Sequence, residues 1–322
     1  MPDFHRKTDG NAVTRMIYTK DLNTIKGWKT AVAIGKFDGL HTGHMPLIGK
    51  LGRVAEEKGL KTVVLSFSPY PSAVIGGVYT PSILAAGEKI RLLEDAGVDC
   101  LAEVPFTPEF AGTEPEAFVR DVLAGALSCG ALVVGRDYGF GRGRRGTVGF
   151  LKDVSPRYGF DVIVSESVES DGEKVSSSRI RDLIARNDLR AAEKLAGRPY
   201  FIMGRVRRGL RNGTKMGFPT ANIVPGPGKL LPSNGVYRTR TRVGPDTYES
   251  VTNIGSNPTV ARGGPANRVE THILDFDRDI YGFEIIVEFY DFLRGEVRFD
   301  GIDGLKTQIA SDVANARGGA AK

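Results

Sequence analysis

AVAIGKFDGLHTGH, residues 31–44, is the stretch whose reading decides the fold. Ala31 to Ile34 form a short apolar run that reads as a buried strand. A loop with three glycines and two histidines follows, and a helical apolar pattern starts near residue 44. Outward from it, similar runs recur at 62–67 (TVVLSF), 98–104 (VDCLAEV), 131–135 (ALVVG) and 161–165 (DVIVS). Helical patterns near 44–58, 82–96, 114–127 and 147–158 separate them. Strands alternating with helices of roughly 10–15 residues predict βαβ units and a parallel, Rossmann-like sheet. Strands that are apolar throughout fit a sheet covered on both faces. Ligand sites in such sheets open at the carboxyl ends of the strands. The 35–44 loop and GRDYGFGRGRRG (135–146) both lie at such ends.

The pattern then changes. SSSRIRDLIAR (176–186) reads as a helix with serines at its start, and LRAAEKLAGRP (189–199) as a short helix closed by Gly197 and stopped by Pro199. That Gly-Arg-Pro suggests a first domain over 15–190, a boundary over 191–199 and a second domain over 200–318. Beyond it come strand patterns at 200–206, 235–243, 248–255, 268–276 and 283–293. Turn signals at Asn234-Gly235, Gly244-Pro245 and Asp279 to Gly282 separate them. Short strands with frequent turns predict a small antiparallel barrel. A terminal helix is expected over about 302–316, with 316–322 an unstructured tail. The fold class is therefore α/β, a parallel-sheet domain followed by a barrel.

Length alone favours two domains for 322 residues, and 41% hydrophobic with 25% charged residues is ordinary for a globular chain. The net charge of +6 is a mild excess, suited to anionic substrates such as nucleotides and too small to argue for nucleic acid. Cys100 and Cys129 are isolated in apolar surroundings and read as reduced, buried thiols. The N-terminus lacks the apolar core of a signal peptide, and no apolar stretch approaches the roughly 20 residues of a membrane helix. A cytoplasmic protein with no membrane partner is the expectation. Nothing specifies an oligomeric state.

In the first loop, Gly35, Gly39 and Gly43 let the backbone turn tightly and approach a ligand. His41 and His44 sit where a following helix presents free backbone N–H groups to an anion. Two histidines are too few for a zinc site. GKFDGLHTGH resembles the signature of the HxGH nucleotidylyltransferase superfamily. SFSPYP (66–71), GRDYGFGRGRRG and VSSSRIR (175–181) resemble, in order, further motifs of the FAD synthetase module of bifunctional prokaryotic riboflavin kinase/FAD synthetases. The resemblance covers about residues 17–190. It implies that His41 and His44 stabilise ATP phosphates in the transition state, with Gly35, Phe37, Asp38, Gly39 and Gly43 around the nucleotide. Ser176, Ser177, Arg179 and Arg181 would hold the leaving pyrophosphate. Asp137, Phe140 and Tyr70 would contact the flavin. Attack at an α-phosphate needs positioned donors and no protein nucleophile, which agrees. Arg142, Arg144 and Arg145 read equally well as ligand contacts or as a solvated basic loop. The chain departs from the family with Ser68 and Tyr70, where an acidic residue and a histidine are usual, and with Tyr138, where Phe is common.

The second motif, MGFPTANI (216–223), is reached through GRVRRGLRNG (204–213). Together they resemble the ATP-binding segment of riboflavin kinases. The sequences at 230–240, 252–260, 269–282 and 291–312 follow that pattern in order. The resemblance implies a mobile phosphate-wrapping loop carrying Gly204, Gly209, Gly213 and Gly217, with Pro219 beside the nucleotide. Thr220 and Asn222 offer oxygens suited to Mg²⁺. Strand alternation puts Glu270 and His272 on one face and Thr271 and Ile273 on the other. By resemblance Glu270 is the base toward the ribityl 5′-hydroxyl, while His272 reads as structural. Thr214 replaces an Arg, and Arg211 or Lys215 could supply its charge.

The expected function is bifunctional: riboflavin and ATP give FMN in the second module, and FMN and ATP give FAD and pyrophosphate in the first. The competing readings are a chain with one active module, the other only binding, and a flavin-sensing regulator. The small charge excess and the lack of aromatics among the arginine clusters argue against an RNA-binding regulator.

Overall fold

The computed structural model describes residues 15–77, 79–209, 213, 217–256, 267–297, 299 and 301–318. They divide into two compact units. One comprises the residues up to Pro81 together with Lys89–Ser176, and the other Ser82–Glu88 together with the residues from Ser177 onward. The expected 191–199 boundary does not coincide with this division, because α7 (Ser177–Ala185) and α8 (Leu189–Ala196) group with the barrel.

The first unit is built on six parallel strands, β1 (Ile17–Thr19), β2 (Thr30–Ile34), β3 (Lys61–Ser68), β4 (Cys100–Pro105), β5 (Cys129–Gly135) and β8 (Asp161–Ser165), in the order β1-β4-β3-β2-β5-β8. Every residue of β2 is buried, as are Thr62 to Ser66 of β3 and Ala131 to Val134 of β5. Such strands cannot face water on either side, which accounts for their unbroken apolar runs. α1 (Met45–Lys58) turns Leu47, Ile48, Leu51 and Ala55 inward against the sheet and ends at Gly59 in the left-handed conformation. α2 (Pro71–Gly76), α3 (Ala86–Asp95), α4 (Pro108–Ala111), α5 (Pro115–Ala117) and α6 (Val148–Tyr158) follow in the connections. β6 (Gly139–Phe140) and β7 (Gly146–Thr147) make a small hairpin, and β9 (Glu169–Ser170) pairs with β10 (Glu173–Lys174). The sheet order reverses between β2 and β5, so the loops after these two strands flank a topological switch point.

Two features differ from expectation. β1 was not legible: three residues, IYT, become a strand only by pairing with β4. The helix expected over 114–127 is α5 continued by a π-helical segment, Phe118–Ala126, a geometry found chiefly near functional sites.

The second unit is a closed barrel of β11 (Tyr200–Arg207), β12 (Ala221–Ile223), β13 (Gly235–Val243), β14 (Asp246–Ser256), β15 (Asn267–Ile273) and β16 (Glu284–Arg294), in the order β11-β12-β15-β14-β13-β16. Its six pairings are antiparallel. Its interior is partly polar: Thr241, Ser250, Thr239, Thr252 and Thr271 link hydroxyl to hydroxyl at 2.8–2.9 Å and are fully buried. Each hydroxyl can donate one bond and accept another, so the chain satisfies itself without water. α9 (Ile302–Gly318) packs on β14 and β13, buries Ala316 and binds Arg294 through Asp312 at 2.7 Å. Residues 316–318, expected in the tail, instead complete this helix because Ala316 joins the core. Residues 319–322 lie outside the described residues.

Candidate functional site

The loop after β2 is tightly wound. Phe37, Gly39 and Leu40 have φ of 46°, 85° and 39°, and Phe37, Asp38, Leu40 and His41 are buried. The His44 N–H donates to the His41 carbonyl at 2.8 Å, and the His44 carbonyl accepts from Ile48 at 3.0 Å, which starts α1. The two imidazoles stack with centroids 3.8 Å apart, and the Phe37 ring lies 5.3 Å from His44. A Cβ at Gly43 would meet the His41 ring at 3.0 Å and the Val175 carbonyl at 3.4 Å. One at Gly35 would meet the Phe37 ring at 3.1 Å. These two glycines leave room for rings, whereas Gly39 is needed for its positive φ. A pair of imidazoles at a helix start is suited to binding an anion.

Beside this loop, and sharing Gly35 with it, is a cavity of about 970 Å³ at the carboxyl end of the sheet. Phe67, Phe106, Phe110, Phe118, Tyr138 and Phe140 are in its wall, in ring contacts of 5.3–6.1 Å. That volume and lining suit a large planar ligand. Phe140, expected to contact the flavin, is in this wall. Asp137 is also in the wall, bound to Lys174 at 2.5 Å, and that hydrogen bond lowers its pKa. Tyr70 is not in the wall. It precedes α2 next to the cis Ser68-Pro69 bond, with Lys89 5.3 Å from its ring centroid. Lys89 in turn binds Glu103 at 2.8 Å. Burial opposes the charge on Lys89, but Tyr70 and Glu103 outweigh it and raise its pKa.

The arginine cluster divides in two. Arg142 and Arg145 both pair with Glu114, whereas Arg144 lies over Gly139, donates to the Asp137 carbonyl at 3.3 Å and lines the cavity. Phe67, Phe106, Phe110, Phe118 and Lys36 were missed as wall residues, while Arg144, read evenly as ligand contact or solvated loop, is in the wall. The sequence signal for the first three is phenylalanine at or just past the carboxyl ends of strands, in SFSP (66–69) and PFTPEF (105–110). Ser176 closes the first unit's sequence, and Ser177 opens α7 in the second. Arg179 and Arg181 on α7 are half-buried and engaged.

In the barrel unit β12 carries the second motif. Asn222 stands opposite Glu270 on β15, and Glu270 stands opposite Asn253 on β14. Glu270 binds Arg268 at 2.8 Å. His272, read from the sequence as structural, donates from Nδ1 to the Pro219 carbonyl at 2.8 Å, and its ring meets Phe218. Pro219 and Thr220 line a cavity of about 250 Å³ with Thr271, Phe276, Arg278 and Tyr281 among others. A Cβ at Gly209 would come 2.6 Å from the Asn222 amide, so any larger residue there must displace that side chain. Gly217 has φ of 88°. Gly204 is a correction: it is not on a loop but inside β11, opposite Ile285. A Cβ there would press on the Val224 carbonyl at 3.3 Å, so its smallness serves strand packing. Arg211, Thr214 and Lys215 lie outside the described residues.

The donors near Asn222 fit Mg²⁺. Thr220, Asn222 and Glu270 offer only hard oxygens, and among the described residues no three His, Cys, Asp or Glu side chains cluster into a cage. Mg²⁺ commonly uses one or two protein ligands together with substrate phosphates.

An α/β unit with a two-histidine anion loop beside an aromatic cavity, and a barrel with an acid facing oxygen donors, define a two-module nucleotide-dependent transferase. Residues 25–179 match the FAD synthetase family and residues 196–319 the riboflavin kinase family. The bifunctional riboflavin kinase/FMN adenylyltransferase of Bacillus subtilis is 36% identical over 291 residues, 89% of this chain and 92% of that protein. The enzyme of the same name from Escherichia coli K12 is 37% identical over 288 residues, 89% and 91% of the two chains. A crystal structure described as a macrolide-efflux protein from Streptococcus pneumoniae is 31% identical with a TM-score of 0.81, covering 94% of this chain and 99% of the other. The chain belongs to the bifunctional riboflavin kinase/FMN adenylyltransferase family. It makes FMN from riboflavin and ATP, and FAD from FMN and ATP.

Proposed function

We propose the following division of labour, carried by the stacked His41–His44 pair in a loop whose Gly35 and Lys36 also line the aromatic cavity, within one unit. FMN lies with its ring system among the phenylalanines. An oxygen of its phosphate attacks the α-phosphorus of ATP, the bond to the β-phosphate breaks, and pyrophosphate leaves. His41 and His44 donate to the α-phosphate oxygens as charge builds there, and Gly35, Phe37, Asp38, Gly39 and Gly43 shape the nucleotide cradle. Ser176 holds the pyrophosphate, and Asp137 and Phe140 contact the flavin. The FAD-forming module is assigned to 15–190 and the kinase module to 200–318.

In the kinase module Glu270 takes the proton of the ribityl 5′-hydroxyl as that oxygen attacks the γ-phosphorus, and ADP leaves. Gly209, Gly217 and Pro219 shape the ATP site, and Thr220 and Asn222 would hold Mg²⁺. When bound, the cation neutralises charge on the transferred phosphoryl group. Cytoplasmic residence is part of the same reading, supported by the lack, among the described residues, of any helix long and apolar enough to cross a membrane.

A chromatographic time course from riboflavin and Mg-ATP tests the proposal: FMN appears first, then FAD. Glu270→Ala stops the first product and leaves FAD formation from supplied FMN. His41→Ala and His44→Ala do the reverse. Wild-type FMN formation in Glu270→Ala would overturn the base assignment.

A further inference from the structure

Two cations stand in the wall of the aromatic cavity, Lys36 and Arg144. Among the described residues of the lining the one carboxylate, Asp137, is paired with Lys174, so this lining carries surplus positive charge. The cations are placed differently. Lys36 directly follows Gly35 in the histidine loop, and its Nζ reaches to 3.5 Å from Ser72 Oγ on α2. It therefore links the histidine loop to α2, whose Pro71, Ser72, Ile75 and Gly76 are also in the cavity wall. Arg144 belongs to the segment between β6 and β7 and is held against Gly139 and the Asp137 carbonyl.

We propose that Lys36 is the residue that selects phosphorylated over unphosphorylated flavin for the adenylylation step. The inference rests on the reading that flavin occupies this cavity. FMN and riboflavin present the same ring system to the phenylalanine walls, so stacking cannot separate them. They differ by a dianionic phosphate at the end of the ribityl chain. That phosphate carries the attacking oxygen and must lie at the histidine end, where the α-phosphate is bound. Among the described residues in the cavity wall, the histidine loop contributes only Gly35 and Lys36, and only Lys36 is charged. Riboflavin in this cavity would bring no phosphate oxygen to attack the α-phosphorus and would block it, and riboflavin is the substrate of the other module of the same chain. A cation at this point gives the phosphate a charge-assisted bond that riboflavin cannot make.

The test uses the full chain in a Glu270→Ala background, so that added riboflavin is not consumed. Initial rates of FAD formation from FMN give the KM for FMN, the KM for ATP and the inhibition constant of riboflavin. Lys36→Met is expected to raise the KM for FMN about tenfold, the size of one lost charged hydrogen bond, with the ATP KM and the riboflavin constant unchanged. Lys36→Arg restores most of the loss, and Arg144→Met moves FMN and riboflavin in parallel. FMN formation by Lys36→Met with Glu270 intact stays at the wild-type rate. The proposal is overturned if Lys36→Met leaves the FMN KM alone, weakens riboflavin equally or raises the ATP KM instead. It is overturned as well if Arg144→Met alone abolishes the discrimination. A parent chain that forms no FAD from FMN would sink the underlying reading, a separate and recognisable failure.

Discussion

Gly43→Ala puts the histidine pair under a small, calculable stress. Gly43 is not among the residues of positive φ, so alanine fits the backbone. The added Cβ would lie 3.0 Å from His41 Nδ1 and 3.1 Å from its Cε1, with the Val175 carbonyl at 3.4 Å barring retreat. Ordinary contact begins near 3.5 Å, so the ring must move by roughly 0.5 Å. Because His44 stacks on it at 3.8 Å, both donors shift. A displacement of about 1 Å in a positioned group can cost about a hundredfold in rate, so half of that predicts about a tenfold loss. The assay is FAD formation from FMN at saturating ATP, with FMN formation from riboflavin as an internal control that stays unchanged. Overpacking of this kind costs about 1–3 kcal/mol, so thermal unfolding of the variant shows whether it is still folded at the assay temperature. Gly52→Ala is the matched control. A Cβ there meets nothing, and a helical Gly→Ala change adds up to about 1 kcal/mol of stability without touching the rate. A folded Gly43→Ala enzyme with the wild-type FAD rate would refute the claim that these ring positions matter.

Three further outcomes are expected. Lys229 is 1% exposed and donates to Glu88 at 2.6 Å and to the carbonyls of Ile83 and Phe201 at 2.7 and 2.8 Å, all within the barrel unit. Lys229→Met strands a buried carboxylate and should cost about 3–5 kcal/mol in urea unfolding followed by circular dichroism; a loss below about 1 kcal/mol would contradict this. Burial pushes the Cys100 and Cys129 thiols from about 9 up to about 12, with Asp99 adding to the shift at Cys100. The folded state disfavours the thiolates, so their contribution to stability is full below about pH 9 and is lost as pH rises toward 12. Iodoacetamide at pH 8 should label neither in the native chain and both in urea. Asn222→Ala should raise the Mg²⁺ concentration that half-saturates FMN formation by roughly tenfold, read from a magnesium titration, while an unchanged titration would remove Asn222 from the metal site.

Local chemistry left most elements readable. The central strands β2, β3 and β5 carry unbroken apolar runs because both faces are covered, and a continuous run survives any error in register. Gly197 was readable as a helix end because its φ of 75° is one that few other residues adopt. β1 and β12, at three residues each, were not readable, since their strand character comes from partners about 80 and 50 residues away in sequence. Gly204 misled because glycine has the same letter whether it frees a loop or lets two strands approach.

The sequence alone determined the two-unit α/β plan and the histidine loop, because these depend on residue type at fixed short spacing, and its motifs carried the resemblance that named both transfers. Tertiary structure alone decided which side chains form the aromatic cavity, that Tyr70 turns to Lys89, that Arg144 parts from Arg142 and Arg145, and that Lys36 reaches from the histidine loop to Ser72 in the cavity wall. Those placements come from strands β2 to β5 ending together at one edge of a sheet. Parallel pairing brings loops that are distant in sequence to a common rim, and no local pattern records which residues meet there.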